Sequence, residues 1–257
     1  MSVAQILTLG ISMSHYLFSI LIAVFFSFSN IDQASGQIVA GNFSGQAQNR
    51  VLPEHWEPLL FDGVEKHTLY THVFDGNTWS IRATSRASAS GLVRKINIDP
   101  SLYSTIFFRW KIQDSIASAD LTRKKGDDAP ARVYITFAYD PEEVNWWEML
   151  QFETIKLFHG EYPPIASLVY VWASHGEQGK ILDSPYTSRV KIIVLESGAK
   201  EKGKWIAEKR NIHTDYRTAF GSEDIPMISG VALMTDTDNT GEQAVAWYGD
   251  IIFSNSP

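Results

Sequence analysis

Along most of this chain apolar and polar positions alternate with a period of two, in short runs closed by Gly, Pro, Asn or Asp. Runs rich in β-branched and aromatic residues predict strands at Thr78–Thr84, Gly91–Ile98, Ser104–Ile112, Ala131–Ala138, Ser167–Ala173, Arg189–Glu196, Lys204–Ile212, Met227–Thr235 and Ala244–Phe253. Many short strands without helices between them predict an all-β fold, here a jelly-roll-like β-sandwich. Within Ala131–Phe137, Val133, Ile135 and Phe137 share one face, and Arg132, Tyr134 and Thr136 share the other. The same split sets Phe108, Trp110 and Ile112 against Phe107, Arg109 and Lys111. It also sets Val245, Trp247 and Ile251 against Tyr248 and Asp250.

One stretch breaks the period. Asp140-Pro141-Glu142-Glu143 offers an N-cap, Pro at the first helical position and acids in the first turn, with Val144, Trp147, Leu150 and Phe158 following at helical spacing. A helix over about 141–159 is predicted, closed by Gly160 and Pro163-Pro164. It carries four Glu and one Lys, the wrong charge for a membrane-surface helix, so it is expected to cover one end of the sandwich.

The N-terminus bears on location. Tyr16–Phe28 is an uncharged apolar run of 13 residues, shorter than the ~20 that span a bilayer and within the range of a secretory core. Small residues at Ala34-Ser35-Gly36 place a cleavage site before Gln37, so residues 1–36 read as a signal peptide and the protein as periplasmic or secreted, with no stable membrane span after cleavage. His15 and the α-amino group are the only positive charge ahead of the run, so an uncleaved anchor is the alternative. Residues 37–55, rich in Gln, Asn, Gly and Ser, read as a flexible lead-in to a single sandwich domain over 56–257.

The net charge of −7 argues against nucleic acid as a partner. The absence of Cys excludes disulfides, thiolate metal sites and a thiol nucleophile. Elbow, zinc-helix and phosphate-loop motifs are missing, and the seven His are scattered, His175 being the one that ends a strand beside a loop.

Two acidic segments carry the candidate chemistry. Asp236-Thr237-Asp238-Asn239-Thr240-Gly241 matches the opening of a calcium loop, with oxygens at alternate positions and Gly at the sixth. Twelve residues in, Trp247 stands where the bidentate Glu belongs, so Asp236, Asp238, Asn239 and Glu242 form the candidate Ca2+ ligand set, against an Asx-rich hairpin loop that caps its own amides. In the second segment, Asp120, Asp127 and Asp128 alternate with Arg123, Lys124, Lys125 and Arg132. Asp120, Lys124, Asp127 and Asp128 are catalytic candidates for glycan cleavage if the segment is more than a neutralised surface network. A third reading brings Asp120 or Asp127 to Asp236 and Asp238 across adjacent strands.

The segments SADLTRKKGDDAPARVYITF, GEYPP with LVYVWAS, SPYTSR with KIIVLESG, GKWIAEKRNI, DYRTAFG and GVALMTDTDNTGEQAVAWYGDI together resemble the bacterial domain-of-unknown-function family 3047 over most of residues 56–254. The resemblance implies an exported or envelope β-sandwich with no assigned activity, and marks both acidic segments as family features.

Binding of a glycan or other polar envelope component is expected through Arg109, Arg132, Tyr134, Tyr248 and Asp250 on one polar sheet face, with Trp172 as a stacking platform at a strand end. The alternatives are a glycoside hydrolase or polysaccharide lyase using carboxylates of the two acidic loops, and a structural envelope protein stapled by calcium.

Overall fold

The computed structural model describes residues 36–45, 52–75, 78–139 and 164–255. The predicted helix over about 141–159 and the signal peptide, save Gly36, lie outside the described residues. Among those described, no helix is long and apolar enough to cross a membrane.

The strands in chain order are β1 (Gln37–Gly41), β2 (Glu57–Leu59), β3 (Leu69–Phe74), β4 (Trp79–Arg86), β5 (Gly91–Ile98), β6 (Thr105–Ile112), β7 (Ala131–Phe137), β8 (Ala166–Ala173), β9 (Ile181–Asp183), β10 (Val190–Ser197), β11 (Ile206–Asn211), β12 (Ile228–Met234) and β13 (Gln243–Ser254). Each of the nine runs expected from alternation is a strand, Gly91–Ile98 to the residue. The strands form a sandwich of a six-stranded sheet, ordered β11-β6-β13-β4-β3 with β1 also on β13, and a seven-stranded sheet, ordered β2-β5-β12-β7-β8-β10-β9. From β4 to β7 the chain changes sheet at every step, so pairing is between strands distant in sequence, as expected of a jelly-roll-like sandwich.

Between the sheets lies one apolar layer. Phe108 of β6 stacks on Tyr170 of β8 with centroids 5.8 Å apart, and Trp110 meets Trp172 at 6.0 Å. Val133, Ile135 and Phe137 are buried in this layer, on the face alternation assigns them.

Four expectations are corrected. β1 lies inside the stretch read as a flexible lead-in and pairs with the end of β13, because Ile38, Val39 and Ala40 supply a β-branched and apolar core within a polar segment. The strand expected to reach Ile212 stops at Asn211, whose side chain accepts from the Thr214 N–H at 2.8 Å and caps helix α1 (Ile212–Phe220). That helix ends at Gly221, which takes φ 73 and donates to the Arg217 carbonyl. In β13 a bulge between Tyr248 and Ile251 shifts the phase, so Ala246, Tyr248, Ile251 and Phe253 point inward and Trp247 outward. Trp172 is no rim platform. It is fully buried, its Nε1 donating to the Gly198 carbonyl at 2.9 Å, because it points into the layer between the sheets, against Trp110.

Candidate functional site

The single polar face proposed from sequence is not formed, since its members are divided. Arg109 belongs to the six-stranded sheet and Arg132 and Tyr134 to the seven-stranded one. Tyr248 is in the core between them, its hydroxyl donating to the Met234 carbonyl at 2.6 Å. Asp250 accepts from the Ser44 N–H at 2.7 Å and from the Ser44 hydroxyl.

What the fold does bring together is the two acidic segments. β12 and β7 are antiparallel with Met234 opposite Arg132, so the loop leaving β12 and the loop entering β7 emerge side by side at one edge. Asp236 lies two residues past Met234, while Asp127 and Asp128 lie just before Arg132.

Arg132 is the centre of this cluster and is 3% exposed. Its Nε donates to Asp236 Oδ1 at 3.0 Å and its Nη2 to Asp236 Oδ2 at 3.1 Å, a two-pronged grip. The same Nη2 donates to the Asp127 carbonyl at 2.8 Å and to Asp127 Oδ1 at 3.0 Å. Asp128, 0% exposed, anchors the other loop: its Oδ1 accepts from the N–H of Asn239 at 3.2 Å and from Asn239 Nδ2 at 3.3 Å, and its Oδ2 from the N–H of Thr240 at 2.7 Å.

Two carboxylates, Asp236 and Asp127, thus bond one guanidinium, and Asp128 and Asp238 lie close to Asp236. Burial, reinforced by Asp128, Asp127 and Asp238, pushes Asp236 up to about 8 against the pull of Arg132. Burial, then Asp128, also raises Asp238, which stands exposed at the rim. On Arg132 burial works against the charge, but Asp236, Tyr134 and Asp127 hold its pKa above the ordinary guanidinium value.

The remaining candidates sit elsewhere. Asp120 turns on itself, accepting from the Thr122 N–H at 3.0 Å and hydroxyl at 2.6 Å, which lowers its pKa. Lys124 lies over the Tyr186 ring, Nζ 5.3 Å from its centroid, and the Tyr186 hydroxyl donates to the Lys124 carbonyl at 3.2 Å. Glu242 accepts from the Ala117 and Ser118 N–H groups at 3.0 and 2.8 Å and from the Ser118 hydroxyl, bonds that lower its pKa and hold it to the loop after β6.

Asp128, Asp236 and Asp238 each bring one oxygen within 4.8 Å of the others, close enough to share a cation. Calcium wants six to eight oxygens. Here both oxygens of Asp236 already hold Arg132, both of Asp128 hold N–H groups, and Glu242 is bonded to the other loop. The donor set therefore fits a guanidinium better than a calcium ion.

Next to this cluster the outer face of the seven-stranded sheet is hollowed. A cavity of about 410 Å³ runs from Asp236 and Asp238 past Tyr186 to Tyr134. A second of about 530 Å³ continues from Tyr134 over Thr136, Gly230 and Ala232 to Lys95. Gly230 keeps the floor low, because a Cβ there would lie 2.9 Å from the Thr136 hydroxyl. Tyr134 stands where the two meet, its hydroxyl pushed up to about 12 by burial. Sequence reasoning missed Tyr186, 54% exposed in the turn before β10, since SPYTSR carries no strand period; its place next to Pro185 in a polar turn was the only signal.

Among solved structures the chain is similar to the family 11 carbohydrate-binding module of a Clostridium thermocellum cellulosomal cellulase, with 11% identity and a TM-score of 0.44 over 86% of this chain and 95% of that one. The same module in complex with a β-1,3-1,4-mixed-linked tetrasaccharide gives 12% and 0.43 over 86% and 96%. A cellulase derived from Cel12A of Rhodothermus marinus gives 12% and 0.41 over 84% and 98%. At such values the likeness decides neither ligand nor reaction. No curated protein matches the chain. The family described as "Protein of unknown function (DUF3047)" matches residues 54–252, and the chain belongs to it.

Proposed function

We propose that the protein binds a glycan or another polar envelope component along the hollowed outer face of its seven-stranded sheet. The observation that carries this reading is the groove itself: two adjoining cavities share Tyr134, and one of them ends at exposed Tyr186 and Asp238. Tyrosine rings give a sugar an apolar surface together with a hydroxyl, and the acidic rim gives its hydroxyls acceptors.

Binding is favoured over cleavage by burial. Glycoside hydrolysis needs two carboxyl groups that reach the same bond. Asp128 and Asp236 are 0% and 2% exposed and tied to N–H groups and Arg132, which leaves Asp238 as the acid of this cluster standing open to a substrate. Calcium is the lesser reading of this cluster: exposed Asp238 would be its ligand, and the ion would have to displace Arg132 from Asp236.

Export is part of the same reading, supported by the apolar run Tyr16–Phe28 and by the small residues before Gln37. Cleavage there leaves β1, which begins at Gln37, intact. The N-terminal residue of the protein recovered from the envelope fraction tests it, Gln37 being the expected result and Met1 the contrary one.

The binding test is retention of the full-length chain by a panel of insoluble and gel-embedded polysaccharides. Retention by at least one polymer, weakened in Tyr186→Ala, supports the reading. Release of soluble oligosaccharides during incubation replaces it with the cleaving enzyme, and no retention by any polymer removes it.

A further inference from the structure

The six-stranded sheet presents a second built surface on the face turned away from the core. Register places Trp247 of β13 between Arg82 of β4 and Lys111 of β6. Trp205, one residue ahead of Ile206, which pairs with Trp110, extends the row past Lys111. Aromatic and cationic side chains therefore alternate across neighbouring strands, each pair of strands about 4.8 Å apart.

The cations lie over the indoles. The Arg82 guanidinium is 5.7 Å from the Trp247 centroid, Lys111 Nζ is 4.6 Å from Trp247 and 4.9 Å from Trp205, and the Arg109 guanidinium is 4.8 Å from Trp205. Lys111 is neutralised, since it pairs with Asp75 at 2.8 Å. The two arginines are not. Arg109 donates to the Thr78 hydroxyl at 3.2 Å, and the Arg82 Nε is out of solvent with no acceptor; neither guanidinium meets a carboxylate among the described residues.

The placement of Arg109 is built into the sheet. A Cβ on Gly249 would lie 2.4 Å from both Cγ and Nε of Arg109, and Gly249 does not have a positive φ. Its smallness makes room for the arginine rather than for a turn. In a chain of net charge −7, a face where arginines without counterions stand on tryptophans runs against the average and selects for an anionic partner.

We propose that this face is a second binding surface, distinct from the groove on the opposite sheet, and that it takes a polysaccharide bearing carboxylates, a polyuronate. The planar guanidinium fork matches a carboxylate, and the partly exposed indoles give sugar rings apolar surface to lie against. Charge spacing favours this occupant over nucleic acid. Duplex DNA carries a charge per ~1.7 Å and needs a dense basic surface, whereas two free arginines spread over several strands suit a polymer with one charge per ring.

The test is electrophoresis of the full-length chain through gels containing polygalacturonate or its fully methyl-esterified form, with melting temperatures recorded for every variant. Wild type is expected to be retarded by the acidic polymer and not by the ester. The double variant R82Q/R109Q is expected to lose about tenfold or more of the affinity, the order of one charge-assisted bond. Gly249→Ala, which removes no charge but displaces Arg109, is expected to weaken retention as well. Tyr186→Ala, in the groove, is expected to keep the full difference in retention between the acidic polymer and the ester, whereas R82Q/R109Q abolishes that difference, so the two surfaces fail separately. Unretarded wild type, equal retention by the ester, full retention of R82Q/R109Q, or equal affinity for duplex DNA would each overturn the proposal.

Discussion

Arg132→Met is the substitution that most directly tests how the two acidic loops are held. The variant keeps the length of the side chain and removes the guanidinium that bonds Asp236 twice, at 3.0 and 3.1 Å, and Asp127 twice, at 2.8 and 3.0 Å. With Asp236 2% exposed and Asp127 8%, water cannot replace those bonds freely. Removing one partner of a buried pair typically costs about 3–5 kcal/mol. For a domain of this size that corresponds to roughly 6–20 °C in melting temperature. The assay is urea unfolding at pH 8 of wild type, R132M, D236N and R132M/D236N. In R132M, Asp236, ionised at pH 8 in the unfolded chain, must on folding either take up a proton or bury its charge unpaired, and D236N removes that cost, so the double variant is expected to be more stable than R132M, with a coupling energy of about 1–3 kcal/mol. A loss below about 1 kcal/mol in R132M, or a coupling near zero, would show that Arg132 is a bystander and that the loops are held by something else.

Three further outcomes follow from the same cluster. Asp236 has a folded pKa of about 8, raised above its unfolded value near 3.8, so the fold holds its proton more tightly than the unfolded chain does; the stability it contributes is complete below about pH 4 and is lost as pH rises toward 8, by up to about 1.4 kcal/mol per pH unit, and D236N should flatten that slope in unfolding measured across pH 4–8. Replacing Asp238 with Ala in chelator is expected to leave the melting temperature unchanged or slightly higher, because one charge leaves an acid-rich cluster; under the calcium proposal it lowers the melting temperature only when calcium is present, and an equal loss in chelator would remove calcium from the reading. Tyr186→Ala, at an exposed turn, is expected to cost less than about 1 kcal/mol in urea unfolding while weakening polysaccharide retention, and a large stability loss would recast Tyr186 as a structural clamp on the Lys124 loop.

Strand positions were legible because alternation is a local property. Where pairing added or removed a residue, the local signal failed: the bulge after Tyr248 is invisible in the sequence, and it exchanged the roles of Trp247 and Tyr248. Trp172 was misjudged for a related reason. Its run, Ser167–Ala173, reads as an ordinary strand, but Trp172 shares the face of Leu168 and Tyr170 that looks into the layer between the sheets, where it meets Trp110, so this terminal Trp is interior. Helix α1 was hidden because DYRTAF is short and its Asn211 cap also completes a strand.

The site shows the same division between local and non-local information. Acid-rich composition marked both loops, and the idea that Asp127 approaches Asp236 needed only that their strands be neighbours. It did not reveal that Arg132, read as a ligand-binding residue, is the buried cation on which both loops close. That follows from register, since Met234 opposite Arg132 brings the guanidinium onto Asp236 at the end of the groove. Each acid of the cluster then acquires a different duty from its depth: Asp128 ties the β12–β13 loop through N–H groups, Asp236 shares a proton or a guanidinium, and Asp238 is the one presented to the outside. Composition can say that acids congregate, but depth decides which of them can touch a ligand, and here depth is set by partners more than a hundred residues away.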